Sequence, residues 1–399
     1  MAKVLFLAHR VPFPPNKGDK IRAFHILEHL AQRHEIWLGA GADDPADLEH
    51  LQPAKARFRD AYFAQLGPVR RSANMAVSLV TGAPLSVGRF RHPGLADWIR
   101  RVLENERPDA IYVYSSALAQ YVTGRTGAKL IVDFVDADAE KWRAYAQTAG
   151  APAKWIYAAE FRRLVRFDAG VLAAAVAGIL VSETERQILG RLLPDGASKL
   201  HVVPNGVDTE YFKPSGAASD GRTIVMCGTM DYRPNVEGAI WFAREVLPKV
   251  RQDVPEAEFV IVGAKPSPQV LALGELPGVE VTGAVPDVRP YLERAEVVVA
   301  PLHIARGIQN KVLEGMAMGR PTVATPQALD GIAATPGRDV LVGDGVENFA
   351  KVVADTLRGR TPPDIGERGR RYVVETHKWT EQLRALDDII EGSGHSRSG

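Results

Sequence analysis

The sequence contains a single cysteine, Cys227, which excludes an internal disulfide bond and a cysteine-cluster metal site. Cys227 ends the apolar run 223–227, so we expect it to be a buried core thiol. No uncharged stretch reaches the about 20 apolar residues that a membrane-spanning helix needs. The apolar start is too short for a signal peptide and has no cleavage site. We therefore expect a cytoplasmic protein.

An excess of charge of one sign is also lacking, because 49 Lys and Arg residues stand against 48 Asp and Glu residues. The balance is uneven along the chain: residues 1–200 contain 27 basic and 21 acidic residues, and the remainder contains 22 and 27. This asymmetry indicates that the N-terminal half faces something anionic. The alternative is chance variation on solvated surfaces.

A chain of 399 residues predicts two domains of roughly 200 residues each. Short apolar runs alternate with stretches of helical periodicity in both halves, which predicts two α/β units of the doubly wound, Rossmann-like type. The strands are predicted at 3–8, 35–40, 110–114, 130–134 and 178–182 in the first half, and at 223–228, 258–263, 279–282, 296–300 and 321–324 in the second. Ligands of such sheets bind beyond the carboxyl ends of the strands, so we expect a site in a cleft between the units.

The domain boundary is predicted where the composition becomes rich in turn-forming residues. We expect an N-terminal domain over residues 1–205, a linker over 206–222, a second domain over 223–376, and a last helix with a tail over 377–399. The tail from 392 onward is rich in Gly and Ser, which is the composition of a disordered segment.

The strongest site candidate lies in residues 306–324 (RGIQNKVLEGMAMGRPTVA). Gly307, before a predicted helix, lets backbone N–H groups approach a phosphate, which the helix dipole also favours. Asn310 and Lys311 lie in the first turn, where Lys311 would neutralise such an anion. Glu314 follows one turn later, and its carboxylate can accept two hydroxyl hydrogen bonds from a ribose. The alternative is a glycine-rich turn with an ordinary Lys–Glu helix pair.

This stretch resembles the donor site of the GT-B glycosyltransferases of family 4, also called the group 1 glycosyl transferases. Their pattern is Glu, seven residues, Glu and then AMAxGxPVV, and residues 314–323 (EGMAMGRPTV) fit its second part. The region before the boundary is similar at 179–185 (ILVSETE) and 203–208 (VPNGVD). A branch of the family, the bacterial sugar transferases associated with exopolysaccharide and PEP-CTERM sorting clusters, is similar in four more segments: 9–20, 132–142, 228–235 and 286–292.

The resemblance implies a GT-B fold and a hexosyltransferase that uses no cofactor and no metal, with a UDP- or GDP-linked sugar as donor. Glu314 would bind the ribose, and the backbone of residues 307–311 would hold the diphosphate. The sequence departs from the family at two points: Arg306 replaces the first glutamate of the pattern, and the family's Arg–Lys phosphate pair is missing. Arg306, Arg233 and Lys311 are the candidate substitutes, because a departing diphosphate needs positive charge.

The first strand-to-helix loop of the N-terminal half contains Gly18 in an NKGDK segment. By resemblance Gly18 lies close to the donor phosphates and the reaction centre; the alternative is an ordinary helix cap. Three acids, Asp133, Asp136 and Asp138, follow a predicted strand within six residues. Asp136 is our first choice for a contact with the sugar or the acceptor, and a solvated acidic loop that caps the next helix is the alternative. Gly18, Asp136 and Arg306 are therefore the candidate catalytic residues.

Residues 55–107 contain ten Lys and Arg residues against four acids, with apolar side chains between them. Basic and apolar residues together can hold a protein on an anionic bilayer, which predicts a peripheral position at the inner face of the cytoplasmic membrane. The alternative is a basic solvated face over a core helix. The apolar residues concerned are Phe58, Tyr62, Phe63, Leu66, Met75, Val77, Leu79 and Phe90. Nucleic acid is not expected as a partner, because no recognised motif accompanies the charge.

The family resemblance implies transfer of a sugar, with retention of anomeric configuration, to a hydroxyl of a glycan or lipid-linked acceptor in exopolysaccharide biosynthesis. Two alternatives stay open. One is a sugar-nucleotide 2-epimerase of the same architecture, which needs no acceptor. The other is a non-catalytic sugar-nucleotide-binding partner of an assembly complex, which the departure at Arg306 makes credible. A dehydrogenase is disfavoured, because no GxGxxG follows the first strand.

Overall fold

The computed structural model describes residues 1–15, 18–124, 127–304 and 308–391. The chain divides into two compact units: Asn205–Gln382 forms one, and Met1–Pro204 forms the other together with the segment that begins at Leu383. The residues expected to be a linker, 206–222, are part of the second unit in this division. Each unit contains one parallel sheet with helices, so the prediction of two parallel-sheet α/β domains is confirmed.

The described part of the first unit contains a seven-stranded parallel sheet. Its strands are β1 (Lys3–Ala8), β2 (Glu35–Ala42), β3 (Asp60–Gln65), β4 (Ala110–Tyr114), β5 (Lys129–Val135), β6 (Ala177–Leu180) and β7 (Leu200–Val202). The central strand β1 pairs with β2 on one side, with Val4 opposite Ile36, and with β4 on the other, with Val4 opposite Ala110. The order β3-β2-β1-β4-β5-β6-β7 therefore reverses between β1 and β4, which is the switch point where doubly wound sheets bind ligands.

Helices cover both faces of this sheet, because its central strands are apolar on both sides. They are α1 (Gly18–Ala31), α2 (Leu51–Arg57), α3 (Pro68–Thr81), α4 (Leu85–Gly88), α5 (Pro93–Asn105), α6 (Asp138–Thr148), α7 (Ala153–Ala174) and α8 (Glu183–Leu192). The helix α5 shows why: Leu95, Trp98, Ile99 and Val102 recur at helical spacing, and all four are buried.

The second unit repeats the arrangement with six parallel strands in its described part. These are β8 (Thr223–Cys227), β9 (Glu258–Val262), β10 (Val279–Gly283), β11 (Val297–Ala300), β12 (Thr322–Ala324) and β13 (Leu341–Val342). Its helices are α9 (Arg233–Trp241), α10 (Leu247–Asp253), α11 (Pro268–Leu271), α12 (Arg289–Arg294), α13 (Asn310–Ala317), α14 (Gly345–Leu357), α15 (Ile365–Thr376) and α16 (Trp379–Gln382). The strand order β10-β9-β8-β11-β12-β13 reverses between β8 and β11.

Gly206 and Val207 of the VPNGVD segment contact the chain where α15 ends and α16 begins. The N–H of Val207 donates to the carbonyl of His377 at 2.7 Å. A Cβ added to Gly206 would lie 2.7 Å from the backbone of Trp379, so only glycine allows this approach. The glycine of this segment therefore has a packing role within the second unit.

The last described helix, α17 (Arg384–Glu391), belongs to the first unit although it follows the second in the chain. The Asp387 carboxylate lies 2.7 Å from His29 Nε2 and 2.6 Å from Arg33 Nη1, both of which come from the α1 region. Lys129 Nζ donates to the carbonyl of Ile390 at 3.2 Å. These contacts attach the end of the chain to the first sheet and its first helix. In the portion of the chain that the structure describes, no helix is both long enough and apolar enough to cross a bilayer.

Candidate functional site

The switch point of the second sheet brings the start of α13 beside the end of β8. Lys311 and Glu314 on α13 are close enough to the thiol of Cys227, the last residue of β8, for both charges to act on its pKa. Burial raises the pKa of this thiol. Cys227 is a free, buried cysteine, which agrees with the expectation of an inert core thiol.

Two glycines of the EGMAMGRP segment explain how α13 is positioned. A Cβ on Gly315 would lie 2.9 Å from both Val298 of β11 and Thr322 of β12, so the helix can pack closely on these strands only with glycine. Gly319 follows the helix with φ of +66°, the left-handed conformation in which glycine ends a helix. The segment thus determines how closely α13 packs on the sheet and where the helix ends. Both features position the first turn of α13.

Lys311 and Glu314 lie near this switch point, and their side chains do not form an ion pair with each other. Lys311 Nζ contacts Gln309 Oε1 at 3.4 Å. In the described ranges, neither Lys311 nor Glu314 takes part in an ion pair, and the Glu314 carboxylate has no hydrogen-bond partner. Both side chains are half-buried, so they are partly accessible to a ligand that offers both an anion and hydroxyl groups.

The electrostatics of the pair follow from burial. Burial lowers the pKa of Lys311 to about 8, and the nearby Glu314 carboxylate opposes this shift. Burial raises the pKa of Glu314 to about 7, and the Lys311 ammonium opposes that shift. Both groups therefore titrate close to neutral pH, which is common at functional sites.

The other residues predicted to bind the nucleotide-sugar donor differ in burial and in their partners. The Oδ1 atom of Asn310, at the start of α13, is buried and has no hydrogen-bond partner among the described residues. Arg233 begins α9, its side chain is exposed, and its guanidinium forms an ion pair with Glu237 at 2.7 Å. The predicted residues Arg306 and Gly307 lie outside the described ranges.

The loop between β8 and α9 is closed by Asn235, one of the residues near the missing Arg–Lys pair. Asn235 is buried, and its Nδ2 donates to the carbonyl of Thr229 at 2.9 Å. A Cβ on Gly228 would lie 2.6 Å from the same Nδ2 atom, so the loop is folded tightly onto this side chain. Asn235 thus shapes the end of β8.

In the first unit Asp133 lies inside β5, within the strand predicted at 130–134, and its carboxylate is satisfied by the protein. Its Oδ2 accepts from Arg22 Nε at 2.9 Å and from the Tyr112 hydroxyl at 2.8 Å, and all three residues are buried. Its Oδ1 accepts from the backbone N–H of Val135 at 3.0 Å. Asp133 therefore has a structural role and is not one of a row of free acids after the strand.

Asp136 lies in the short loop between β5 and α6 and interacts with a lysine. Lys141 Nζ is 3.3 Å from Asp136 Oδ2 and 2.7 Å from Asp138 Oδ1. Burial raises the pKa of Asp136, and Lys141 opposes the shift. Val135, before it, has φ of +68°, a strained conformation for a β-branched residue. Backbone strain of this kind is common at functional sites, so the loop is a candidate contact for a ligand.

Gly18, the third candidate catalytic residue, is the first residue of α1. It is exposed, and an added Cβ would have no atom of the described residues within 4 Å. The described part of the chain therefore leaves space for a ligand beside Gly18. Its neighbours Asn16 and Lys17 lie outside the described ranges, and Lys20, two residues later, is buried in an ion pair with Asp47 at 2.7 Å.

Sequence reasoning missed Asp168, a buried carboxyl group on α7. Burial raises its pKa to about 8, a hydrogen bond with Ser116 opposes the shift, and Asp138 adds to it. Its Oδ1 has no hydrogen-bond partner among the described residues. The sequence contained a sign of its burial. Asp168 lies four residues from both Leu164 and Leu172, which places it on the same buried face of α7.

Comparisons with known proteins concern the family and the fold. A family model described as Glycosyltransferase Family 4 matches residues 20–211, and one described as Glycosyl transferases group 1 matches residues 221–358. Two solved structures cover almost the whole chain: a glycosyltransferase from Rickettsia africae (TM-score 0.69, 14% identity, 100% of this chain and 99% of that one), and HepE of Anabaena in complex with UDP-glucose (TM-score 0.67, 14% identity, 98% and 100%). At these identities the structures show the fold, which is that of the GT-B glycosyltransferases. The two family matches indicate, in addition, that the chain is similar to the glycosyl transferases of group 1.

A curated relative from Mycobacterium tuberculosis is more similar in sequence but matches a shorter region. It is a GDP-mannose-dependent alpha-(1-6)-phosphatidylinositol monomannoside mannosyltransferase, 26% identical over 227 residues. The match covers 50% of this chain and 58% of the relative, so the chain spans little more than half of that protein's length.

Proposed function

We propose that this protein transfers a hexose from a UDP- or GDP-linked sugar to a hydroxyl of a lipid-linked glycan in exopolysaccharide biosynthesis, with retention and without a metal. The observation that carries the donor assignment is the Lys311–Glu314 pair at the switch point of the second sheet. An ammonium group suits a diphosphate, and a carboxylate without a partner suits the hydroxyls of a ribose.

The residues of the second unit would supply binding and charge stabilisation in this reaction. The acceptor oxygen forms a bond to the anomeric carbon while the bond from that carbon to the diphosphate oxygen breaks. The acceptor proton passes to the departing phosphate, which Lys311 and the first N–H groups of α13 would stabilise. In the first unit, Asp136 and the open space at Gly18 are the proposed places of contact with the sugar or the acceptor.

The nature of the relatives supports the donor and acceptor classes proposed here. The mycobacterial relative is described as GDP-mannose-dependent and acts on a phosphatidylinositol mannoside, and HepE was crystallised with UDP-glucose. GDP-mannose and UDP-glucose are both nucleoside-diphosphate hexoses, and the acceptor named for the mycobacterial relative is a lipid.

The test begins with a thermal-shift screen of UDP-, GDP- and ADP-sugars, because a bound ligand stabilises the folded protein by mass action. The donor found is then used in turnover assays with a lipid-linked glycan acceptor. We expect Lys311→Met and Glu314→Gln each to reduce kcat/KM at least about tenfold, which corresponds to about 1.4 kcal/mol.

Matched controls are available on α14 of the same unit. Lys351 is an exposed lysine that pairs with Asp355, and Glu347 is an exposed glutamate that pairs with Lys249 at 2.6 Å. Lys351→Met and Glu347→Gln should keep wild-type kinetics. Wild-type rates in both site variants would reject the donor site, isomerisation of the sugar nucleotide without an acceptor would identify an epimerase, and binding without any turnover would identify a non-catalytic partner.

A further inference from the structure

The helix α3 is packed with its polar face toward the protein. Ser78 is fully buried, and its hydroxyl donates to the Asn74 carbonyl at 2.9 Å. Asn74 Nδ2 donates to the Arg91 carbonyl at 2.7 Å. A Cβ on Gly88 of α4 would lie 1.8 Å from Ser78 Oγ, so the two helices are in close contact through small polar groups.

The opposite face of α3 is apolar and exposed. Residues 69, 73, 76 and 80 are Val, Ala, Ala and Val and recur at helical spacing, so they share one face. Val69 is 83% exposed and Val80 is 90% exposed, and Val77 and Leu79 at the margins are exposed as well. A surface helix normally turns its apolar stripe toward the core, so the orientation of α3 is reversed. A reversed amphipathic helix indicates that its apolar face meets something other than water.

The apolar surface continues onto the start of α7. Trp155 is 67% exposed and Ile156 is 45% exposed. Both line a groove of about 210 Å³ together with Leu79 and Leu85, which shows that the end of α3 lies beside the start of α7. We call this patch the α3–α7 surface; it consists of Val69, Val77, Leu79, Val80, Trp155 and Ile156.

The two helices that form the α3–α7 surface also carry basic residues without acidic partners among the described residues. The sequence contains no Asp or Glu between residues 66 and 96. The only acid of the first half of α7, Glu160, is buried and accepts hydrogen bonds from the N–H groups of Leu85 and Ser86. In the described part of the chain, five basic residues of α3 and α7 form no ion pair: Arg70, Lys154, Arg162, Arg163 and Arg166.

We propose that the α3–α7 surface inserts into an anionic lipid bilayer. Apolar side chains would enter the boundary between headgroups and acyl chains, and the surrounding cations would contact the lipid phosphates. The charge argues against a second copy of this chain as the occupant, because a symmetric contact would bring two sets of unpaired cations together. The proposed lipid-linked acceptor is also found in such a bilayer, but binding to the bilayer does not depend on the transfer reaction.

The α3–α7 surface includes only part of residues 55–107, the region expected to contact a membrane. Phe58, Phe63, Leu66 and Phe90 are buried in the first unit and cannot contact a membrane. The exposed apolar residues of that region are confined to α3, and the surface gains Trp155 and Ile156 from outside it. The contact is thus much smaller than the basic stretch that the sequence singled out.

The experiment measures co-sedimentation of the full chain with vesicles in the absence of any sugar nucleotide. We expect binding to vesicles of equimolar phosphatidylglycerol and phosphatidylcholine, and little binding to pure phosphatidylcholine. The double variant Val80→Glu/Trp155→Ser should bind the anionic vesicles at least about tenfold more weakly, because two exposed apolar groups are lost. Val176→Glu, which changes an exposed valine of the same unit outside the patch, is the matched control and should bind as the wild type does.

A second readout identifies the residue that enters the lipid. Brominated acyl chains should quench the fluorescence of the wild type and leave that of Trp155→Phe almost unchanged, because the other tryptophans are not exposed. Equal vesicle binding by the double variant, or equal binding to neutral vesicles, would overturn the proposal. The proposal would also be overturned if the wild type did not bind vesicles but formed a dimer that Val80→Glu dissociates. None of these results bears on turnover with a water-soluble acceptor, so failure here is distinct from failure of the proposed transfer reaction.

Discussion

The two units have sheets with the same strand order around their switch points, but they treat polar groups there in opposite ways. In the first unit, Asp133 is completely satisfied by Arg22, Tyr112 and a backbone N–H. In the second, Lys311 and Glu314 carry charges that the described residues leave without ion-pair partners. The same scaffold therefore satisfies a buried charge with its own groups in one unit and leaves two half-buried charges without ion-pair partners in the other.

The largest effect is expected from breaking the buried pair of the first unit. Arg22→Met leaves the Asp133 carboxylate buried without its cation, which should destabilise that unit by about 3–5 kcal/mol. Urea unfolding followed by circular dichroism measures the loss. Arg100→Met removes an exposed partner of Asp97 and should cost at most about 1 kcal/mol. A similar small loss in both variants would mean that the Arg22–Asp133 pair does not hold the unit together.

The second prediction concerns the pH dependence of donor binding. Donor affinity requires the Glu314 carboxylate and the Lys311 ammonium, so affinity should fall below pH about 7 and above pH about 8. Each limb should approach a tenfold change per pH unit, which is about 1.4 kcal/mol. Isothermal titration calorimetry across this range measures it.

Single variants assign each limb of the pH profile to one of the two residues. Lys311→Met should abolish the alkaline limb and move the acidic limb to higher pH, because the ammonium opposes the rise in the pKa of Glu314. Glu314→Gln should abolish the acidic limb. The two groups are close enough to titrate as a pair, so the limbs belong to the pair as a whole. A flat pH profile of the wild type would contradict the assignment.

The smallest effect is expected at Asp168. Its pKa is about 8 in the folded protein and about 3.9 when unfolded, so the folded state binds the extra proton between these values. Stability should therefore fall as the pH rises from 4 to 8. Asp168→Asn stays neutral and should be more stable than the wild type by at least about 1 kcal/mol at pH 8, with little difference at pH 4. Melting curves at both pH values decide this, and a gain that does not depend on pH would exclude the titration of Asp168 as its cause.

Much of the fold could be predicted from the sequence because its strands are short apolar runs between recognisable helices. The strand β1 was predicted at residues 3–8 and β4 at 110–114, as observed. The edge strand β3 was missed, because its sequence, DAYFAQ, begins with an acid and ends with an amide. The short strands β7 and β13 contain three and two residues, too few for an apolar period to be visible.

The contacts of the candidate site could be predicted only in part, because several of them join residues that are far apart in the sequence. Periodicity placed Lys311 and Glu314 one turn apart on a helix, but it could not show that Cys227 lies beside them. The role of Asp133 depends on Arg22, which is 111 residues away in the chain, so no local pattern reveals it. The reversed orientation of α3 was hidden for a related reason, because an amphipathic pattern does not say which face meets the protein.

The position of α17 has a consequence for biosynthesis. A ribosome makes the first unit's sheet and α1 early, and it makes α17 only after the whole second unit has been synthesised. Until then the Arg33 guanidinium and the His29 ring lack the Asp387 carboxylate that they contact in the finished protein. Of these two units, the one whose synthesis starts earlier is therefore completed later, because its last helix is made after the other unit.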